Sequence, residues 1–113
     1  MSQDNCIFCK IANREVPAKI VGENELALAF RDVSPRQPLH ILVVPKLHYA
    51  NIAELTLNDE ASLVAVMKLG SELALELADD SFRVSFNTGA GAGQTVFHAH
   101  GHLTSTTPRG AVD

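Results

Sequence analysis

The stretch QTVFHAHGH, residues 94–102, restricts the fold more than any other part of this chain. His98, His100 and His102 occupy alternate positions. In an extended strand the side chains at i, i+2 and i+4 share one face. The spacing therefore predicts a strand with three imidazoles on one side. Phe97, Ala99, Gly101 and Leu103 fall on the other side, where the small Ala99 and Gly101 leave room for a close neighbour. Imidazole serves as nucleophile, acid–base or metal ligand near neutral pH. A lone histidine is usually a packing residue, but three close together would repel if protonated and gain little from packing. A three-histidine zinc centre with an open water position is one chemistry that fits.

Residues 82–86 (FRVSF) alternate with period two and are good strand formers. The glycine-rich stretch NTGAGAG, residues 87–93, joins them to the histidines, which predicts an antiparallel hairpin. Glycine also lets backbone N–H groups approach an anion, and Gln94 and Thr95 add side-chain donors. Beside the histidines this loop reads as a phosphate cradle. Residues 40–44 (HILVV) form an apolar run ended by Pro45, which predicts a central strand. Residues 19–21 predict a short strand before the turn Gly22-Glu23-Asn24, and 25–31 (ELALAFR) has strand character that tolerates helix.

The clearest helix spans 59–78, where Leu63, Val66, Met67, Leu73, Ala74 and Leu77 recur at helical intervals. Thr56 and Asp59 approximate a capping-box spacing, with Asn58 a competing N-cap. Val64, Leu69 and Leu75 add apolar surface outside the stripe, which fits either a well-buried core helix or a dimer contact. Residues 6–13 (CIFCKIAN) read as a short helix whose apolar members are Ile7, Phe8 and Ile11. In a reducing compartment its Cys6–Cys9 pair is a metal half-site or a redox motif rather than a structural disulfide. No strand precedes it, which weakens a thioredoxin-like reading. Residues 104–113, rich in threonine, serine and glycine, are expected to form a fraying, flexible tail.

A length of 113 residues predicts one domain over 1–113, with a core that needs no staples. The net charge of −4 argues against a general nucleic-acid binder. It does not exclude a single nucleotide, whose phosphate needs only a local nest of donors. No apolar run approaches the roughly 20 residues of a membrane span. The start MSQDNCIFCK lacks the basic stretch and apolar core of a signal peptide, so a cytoplasmic protein without a membrane partner is expected. Together the elements predict an α+β fold: a mainly antiparallel, five-stranded sheet, one long helix and a short N-terminal helix.

The sequence resembles the histidine triad (HIT) nucleotide-binding proteins over nearly its whole length. The likeness is carried by CIFCKI, by Leu28-Ala29-Phe30-Arg31-Asp32, by residues 38–46 (PLHILVVPK), and by Asn87, Ala92-Gly93-Gln94-Thr95-Val96 and the three histidines. Length and the early CxxC are similar to the small nucleoside-phosphoramidase (HINT-type) branch. Gly101 stands where that family has a bulky apolar residue, and Thr104-Ser105-Thr106-Thr107 where a Gly-Gly-Arg stretch often follows.

The resemblance implies a hydrolase that cleaves purine nucleoside phosphoramidates or related adenosine 5′-phosphate derivatives to the monophosphate. Its alternatives are a diadenosine polyphosphate hydrolase or nucleotidyltransferase, and a non-catalytic nucleotide-binding adaptor. His100 falls on the family's nucleophile, which would form a nucleotidyl-histidine. A hydrogen bond from its other ring nitrogen to a backbone carbonyl would fix the reactive tautomer. By the same resemblance Thr95 lies near the leaving group, Gln94 and His102 contact phosphate oxygens, and His40 supports the triad. Asp32 accepts the ribose hydroxyls, Asn87 and Gly93 belong to the nucleotide site, and Ile7, Phe8, Ile11 and Val33 wall the base. A subset of the family carries structural zinc, which implies Cys6, Cys9, His48 and His98 as ligands, with His98 structural rather than acid–base. No catalytic metal is required, and a homodimer is expected.

Overall fold

Residues 39–45 are apolar on both faces but for His40, and a strand of that kind must be covered from both sides. The computed structural model describes residues 5–109. In it this segment is strand β3 (Leu39–Pro45), buried along its whole length. Before it come helix α1 (Ile7–Ala12) and strands β1 (Ile20–Glu23) and β2 (Ala27–Arg31). After it come helices α2 (Ile52–Asn58) and α3 (Glu60–Leu77), strand β4 (Arg83–Ser85), a 3₁₀ turn (Ala90–Ala92) and strand β5 (Gly101–Ser105). The five strands form one sheet in the order β1-β2-β3-β5-β4, with every neighbouring pair antiparallel. This is the expected α+β architecture. Among the described residues no helix is long and apolar enough to cross a membrane.

Alternation along the strands sends their apolar residues to two separate cores. Ala27, Ala29, Leu39, Ile41, Val43 and Leu103 face α3, where Val66, Leu69, Leu73 and Ala74 meet them. Leu28, Phe30, Leu42 and Val44 face the other way, against Phe8, Cys9 and Ile11 of α1. Helix α3 runs for 18 residues and covers its side broadly. Helix α1 has only six residues and covers part of its side. The sheet face carrying His40 and His102 is thus left accessible beside α1, and the site forms there.

Several elements differ from the sequence expectation. Ile52–Asn58, which the sequence marks as neither helix nor strand, forms α2, and Asp59 ends that helix while capping α3 through Ser62. Gly22 and Glu23 lie in β1 rather than in a turn. The histidine stretch is not one continuous strand, because the ladder to β3 and β4 starts only at Gly101. His98 and His100 lie on the approach to β5, pinned by the Ala99 N–H donating to the Tyr49 carbonyl. β4 and β5 do pair antiparallel, but their connection runs from 86 to 100 and is no tight hairpin. Thr104 and Ser105 belong to β5 instead of opening a tail. The segment after them is tied down by Asp79 N–H to the Thr107 carbonyl and Arg109 N–H to the Leu77 carbonyl. Residues 110–113 lie outside the described part.

Gly101 is a packing requirement. A Cβ built there would stand 2.9 Å from Cζ and 3.0 Å from Cε2 of Phe86. The Phe86 ring packs on the α3-side core and occupies the space that a bulky residue at 101 would fill.

Candidate active site

Cys6 caps α1, with its sulfur accepting from the Cys9 N–H, so the helix turn sets both thiols on one side. Cys6 Sγ and Cys9 Sγ each lie 3.4 Å from His98 Nδ1, and Cys9 Sγ lies 3.3 Å from His48 Nδ1. All four ligand atoms fall within 4.8 Å of one another. Tetrahedral zinc, with bonds near 2.3 Å to sulfur and 2.0–2.1 Å to nitrogen, separates such atoms by roughly 3.5 Å. His98 Nε2–H donates to the Pro45 carbonyl at 2.9 Å, which turns the Nδ1 lone pair toward the sulfurs. Burial pushes the His98 pKa down to about 4 and also lowers that of His48, so both rings stay neutral, as metal ligands must be. The four residues can hold a metal ion, and the donor set fits zinc.

Two residues on, His100 has a different task. Its Nδ1–H donates to the His98 carbonyl at 2.7 Å, which leaves the lone pair on Nε2. This is the expected tautomer lock. Burial lowers the His100 pKa, opposed by that hydrogen bond and by Asp32. The ring stacks edge-on against Phe8, with centroids 5.0 Å apart, and lines the neighbouring cavity.

A second cluster, Asp32, His40 and His102, also brings its ligand atoms together. Here the proton positions disfavour a metal. The Arg36 N–H donates to His40 Nδ1 at 3.1 Å, so the His40 proton sits on Nε2. That Nε2–H faces His102 Nδ1 at 3.0 Å and Asp32 Oδ2 at 3.4 Å, leaving His40 no free lone pair. The group is a hydrogen-bond chain. It sets the remaining His102 proton on Nε2, free to donate. Burial first, then the neighbouring His100 and His40, lower the His102 pKa and keep it neutral. Asp32 also accepts from the Ser34 N–H at 2.7 Å, the turn role that any aspartate before Ser-Pro can play.

The cavity measures about 880 Å³, near the upper end for small-ligand sites. Of the residues expected at a nucleotide site, Ile7, Phe8, Ile11, Asp32, Val33, Asn87, Gly93 and Thr95 line it, together with His40, His100 and His102. Gln94 does not. The residue is 3 % exposed, and its side-chain amide accepts from the Gly89 N–H and donates to the Ala50 and Val96 carbonyls. The expected phosphate contact by Gln94 is corrected to a scaffold role, because no donor is left over. It braces a loop whose Gly89 and Gly93 hold positive φ of 86° and 93°. Asn87 supports the same loop by donating to the Ala92 carbonyl. Phe30, Leu42, Arg36, Arg83, Ser85 and Thr104 also line the cavity, and sequence reasoning did not single them out. For all of these but Arg36, which lies in the β2–β3 connection, the available signal was strand parity with His40 and His102, which becomes readable only when the strands are paired.

The HIT domain family matches residues 13–108. The chain belongs to the HIT domain family. Protein HitA of Neisseria gonorrhoeae is 41% identical over 104 residues, covering 91% of this chain and 97% of that one. The purine nucleoside phosphoramidase of Escherichia coli K12 is 35% identical over 109 residues, covering 95% and 92%. A solved HIT family hydrolase from Clostridium thermocellum superposes with a TM-score of 0.86 at 38% identity, covering 98% of each chain. Gly101 does not spoil the HIT strand here, since Phe86 fills its volume and the tautomer lock on His100 is in place.

Proposed function

We propose that this protein is a nucleotide hydrolase that cleaves purine nucleoside phosphoramidates or related adenosine 5′-phosphate derivatives to the nucleoside monophosphate. The observation that carries the reading is the 2.7 Å hydrogen bond from His100 Nδ1–H to the His98 carbonyl, which keeps a lone pair on Nε2 beside the cavity. In this reading Nε2 attacks the α-phosphorus, the bond to the leaving nitrogen breaks, and water then releases the monophosphate from the histidine. His102 Nε2–H donates to a phosphate oxygen, and Thr95 stands near the leaving group. Asp32 accepts the ribose hydroxyls, while Ile7, Phe8, Ile11 and Val33 enclose the base. The similarity to the E. coli phosphoramidase supports the same substrate class. Zinc on Cys6, Cys9, His48 and His98 would supply a structural cross-link and no chemistry at phosphorus.

The protein acts in this reading as a cytoplasmic homodimer. Val64, Met67 and Leu75 on α3 are exposed and apolar, and a second copy would cover them.

Incubation with adenosine 5′-phosphoramidate tests the activity: AMP and ammonia should form, and His100→Ala should abolish turnover while nucleotide binding persists. Labelled nucleotide should be trapped on His100 under acid-sparing conditions. Near-normal turnover by the His100→Ala protein would overturn the mechanism.

A further inference from the structure

The peptide group between His98 and Ala99 orients the nucleophile, since its carbonyl accepts the His100 Nδ1–H at 2.7 Å. It lies outside the sheet ladder, which begins only at Gly101, so no strand pairing among the described residues holds it. Its N–H donates instead to the Tyr49 carbonyl at 2.6 Å. A trans peptide is planar, so its N–H and C=O point in opposite directions and turn together. Fixing the Ala99 N–H on Tyr49 therefore fixes the direction in which the His98 carbonyl meets His100. The two bonds also reinforce each other, because a peptide group that donates through N–H becomes a better acceptor through C=O.

Tyr49 sits in the connection between β3 and α2, residues 46–51, which has no regular structure of its own. Its side chain reaches the α2–α3 junction, where the hydroxyl donates to Asp59 Oδ2 at 2.9 Å. Asp59 is itself held fast. Its Oδ1 accepts from the Ser62 N–H at 3.1 Å and its Oδ2 from the Ser62 hydroxyl at 2.7 Å. That carboxylate caps α3, the 18-residue helix packed on the sheet. The hydrogen bond to Asp59 raises the Tyr49 pKa, so the hydroxyl keeps its proton and remains the donor. A chain of contacts thus runs from the capped end of α3 through Tyr49 to the His98–Ala99 peptide and on to His100. The residues flanking Tyr49 serve other groups: His48 faces Cys9, and the Ala50 carbonyl accepts from Gln94.

We propose that Tyr49 is a positioning residue for catalysis: its hydroxyl, fastened to the α3 cap, holds its own carbonyl where it orients the His98–Ala99 peptide and, through it, Nε2 of His100. The proposal rests on the hydrolase reading above and adds a residue that does not line the cavity. Orientation of the attacking nitrogen matters to the attack and not to substrate binding, so the loss of Tyr49's tie should appear in kcat and leave KM alone.

Two variants separate this role from plain stability. Tyr49→Phe keeps the ring and removes the tie to Asp59, whereas Ser62→Ala weakens the same cap and leaves that tie in place. Both are compared with the wild-type protein as purified, on adenosine 5′-phosphoramidate, with metal content, urea stability and amide hydrogen exchange measured alongside. Tyr49→Phe should lower kcat about fivefold, the loss that one neutral hydrogen bond represents, with KM within about twofold of wild type. Its Ala99 amide should exchange about fivefold faster than in wild type, after allowance for global stability. Ser62→Ala should lose comparable stability yet keep kcat within about twofold of wild type and the wild-type exchange at Ala99. Metal content should be equal in all three. Unchanged kcat in Tyr49→Phe, a rise in KM instead of a fall in kcat, or an equal fall in kcat for Ser62→Ala would overturn the proposal. So would loss of metal from Tyr49→Phe, which would place the effect on His48. If the wild-type protein turns over no phosphoramidate, the hydrolase reading falls, and the Ala99 exchange rates decide the positioning of His100. Faster exchange in Tyr49→Phe alone supports it, and equal rates overturn it.

Discussion

Replacing Gly101 by leucine is the sharpest test of how this HIT domain keeps its active-site strand in place. The added Cβ would sit 2.9 Å from Phe86 Cζ, 3.0 Å from Cε2 and 3.5 Å from Cε1. Carbon atoms prefer roughly 3.5–4.0 Å, so one ring must retreat by about 0.5–1 Å before the rest of the leucine is accommodated. Phe86 packs against the core cluster that includes Val43 and Leu73, which opposes a retreat on that side. Overpacking of this kind costs about 1–3 kcal/mol, and leucine should lie near the top of that range. Truncating Phe86 to alanine removes a half-buried ring and should cost about 2 kcal/mol, less than for a fully buried phenylalanine. In the double variant the leucine enters the volume the ring vacated. The two costs should then fail to add, with a coupling of about 2 kcal/mol. Urea unfolding of the metal-loaded proteins gives these stabilities, and kcat/KM on adenosine 5′-phosphoramidate reports the strand geometry in parallel. A Gly101→Leu protein as stable as wild type, or an additive double variant, would refute the complementarity of residues 86 and 101.

Protein purified without added metal should contain one zinc per chain, and His98→Ala or Cys6→Ser should lose the metal and unfold at lower denaturant. Free alkylation of both cysteines in a metal-free, fully stable protein would contradict this. Activity should persist into mildly acidic buffer. Burial lowers the His100 pKa below its ordinary 6.5, so the neutral ring survives at pH 6.5 and is lost only as the pH falls further. A pH profile of kcat/KM whose acid limb is centred at or above 6.5 would show the sign to be wrong. Light scattering at micromolar concentration should return twice the chain mass of 12.2 kDa, and Val64→Asp should shift it toward the monomer. A monomeric wild-type protein would remove the dimer.

Much of this was legible in the sequence because single residues announced their own geometry. The HILVV run ended by proline could only be a covered central strand, and it is β3. The alternating histidines and the CxxC pair were each legible alone, but only the resemblance to the HIT proteins joined them, and the structure brings Cys6, Cys9, His48 and His98 together. What stayed hidden depended on partners distant in the chain. Helix α2 is short and sparsely apolar, yet Asn51, whose side chain accepts from the Glu54 N–H, was a usable start signal. Alternation at 94–100 reads the same in a paired strand and in an extended loop, and only the ladder at Gly101 distinguishes them. Gln94 carries no mark in sequence of an amide spent on Gly89, Ala50 and Val96. The match of Gly101 to Phe86 likewise exists only in three dimensions.

Helix α1, at six residues, is too short to persist on its own. It is moored at Cys6 and Cys9, whose sulfurs meet His48 and His98 at sequence separations of 39 and 92 residues. From the same six residues Ile7, Phe8 and Ile11 form one wall of the cavity. An ion at the cysteines and a nucleoside against that wall therefore draw on the same piece of order. Whichever arrives first has already fixed the helix for the other. By thermodynamic reciprocity, zinc bound at the cysteines would raise the affinity for the base by the same factor by which bound nucleotide would raise the affinity for zinc.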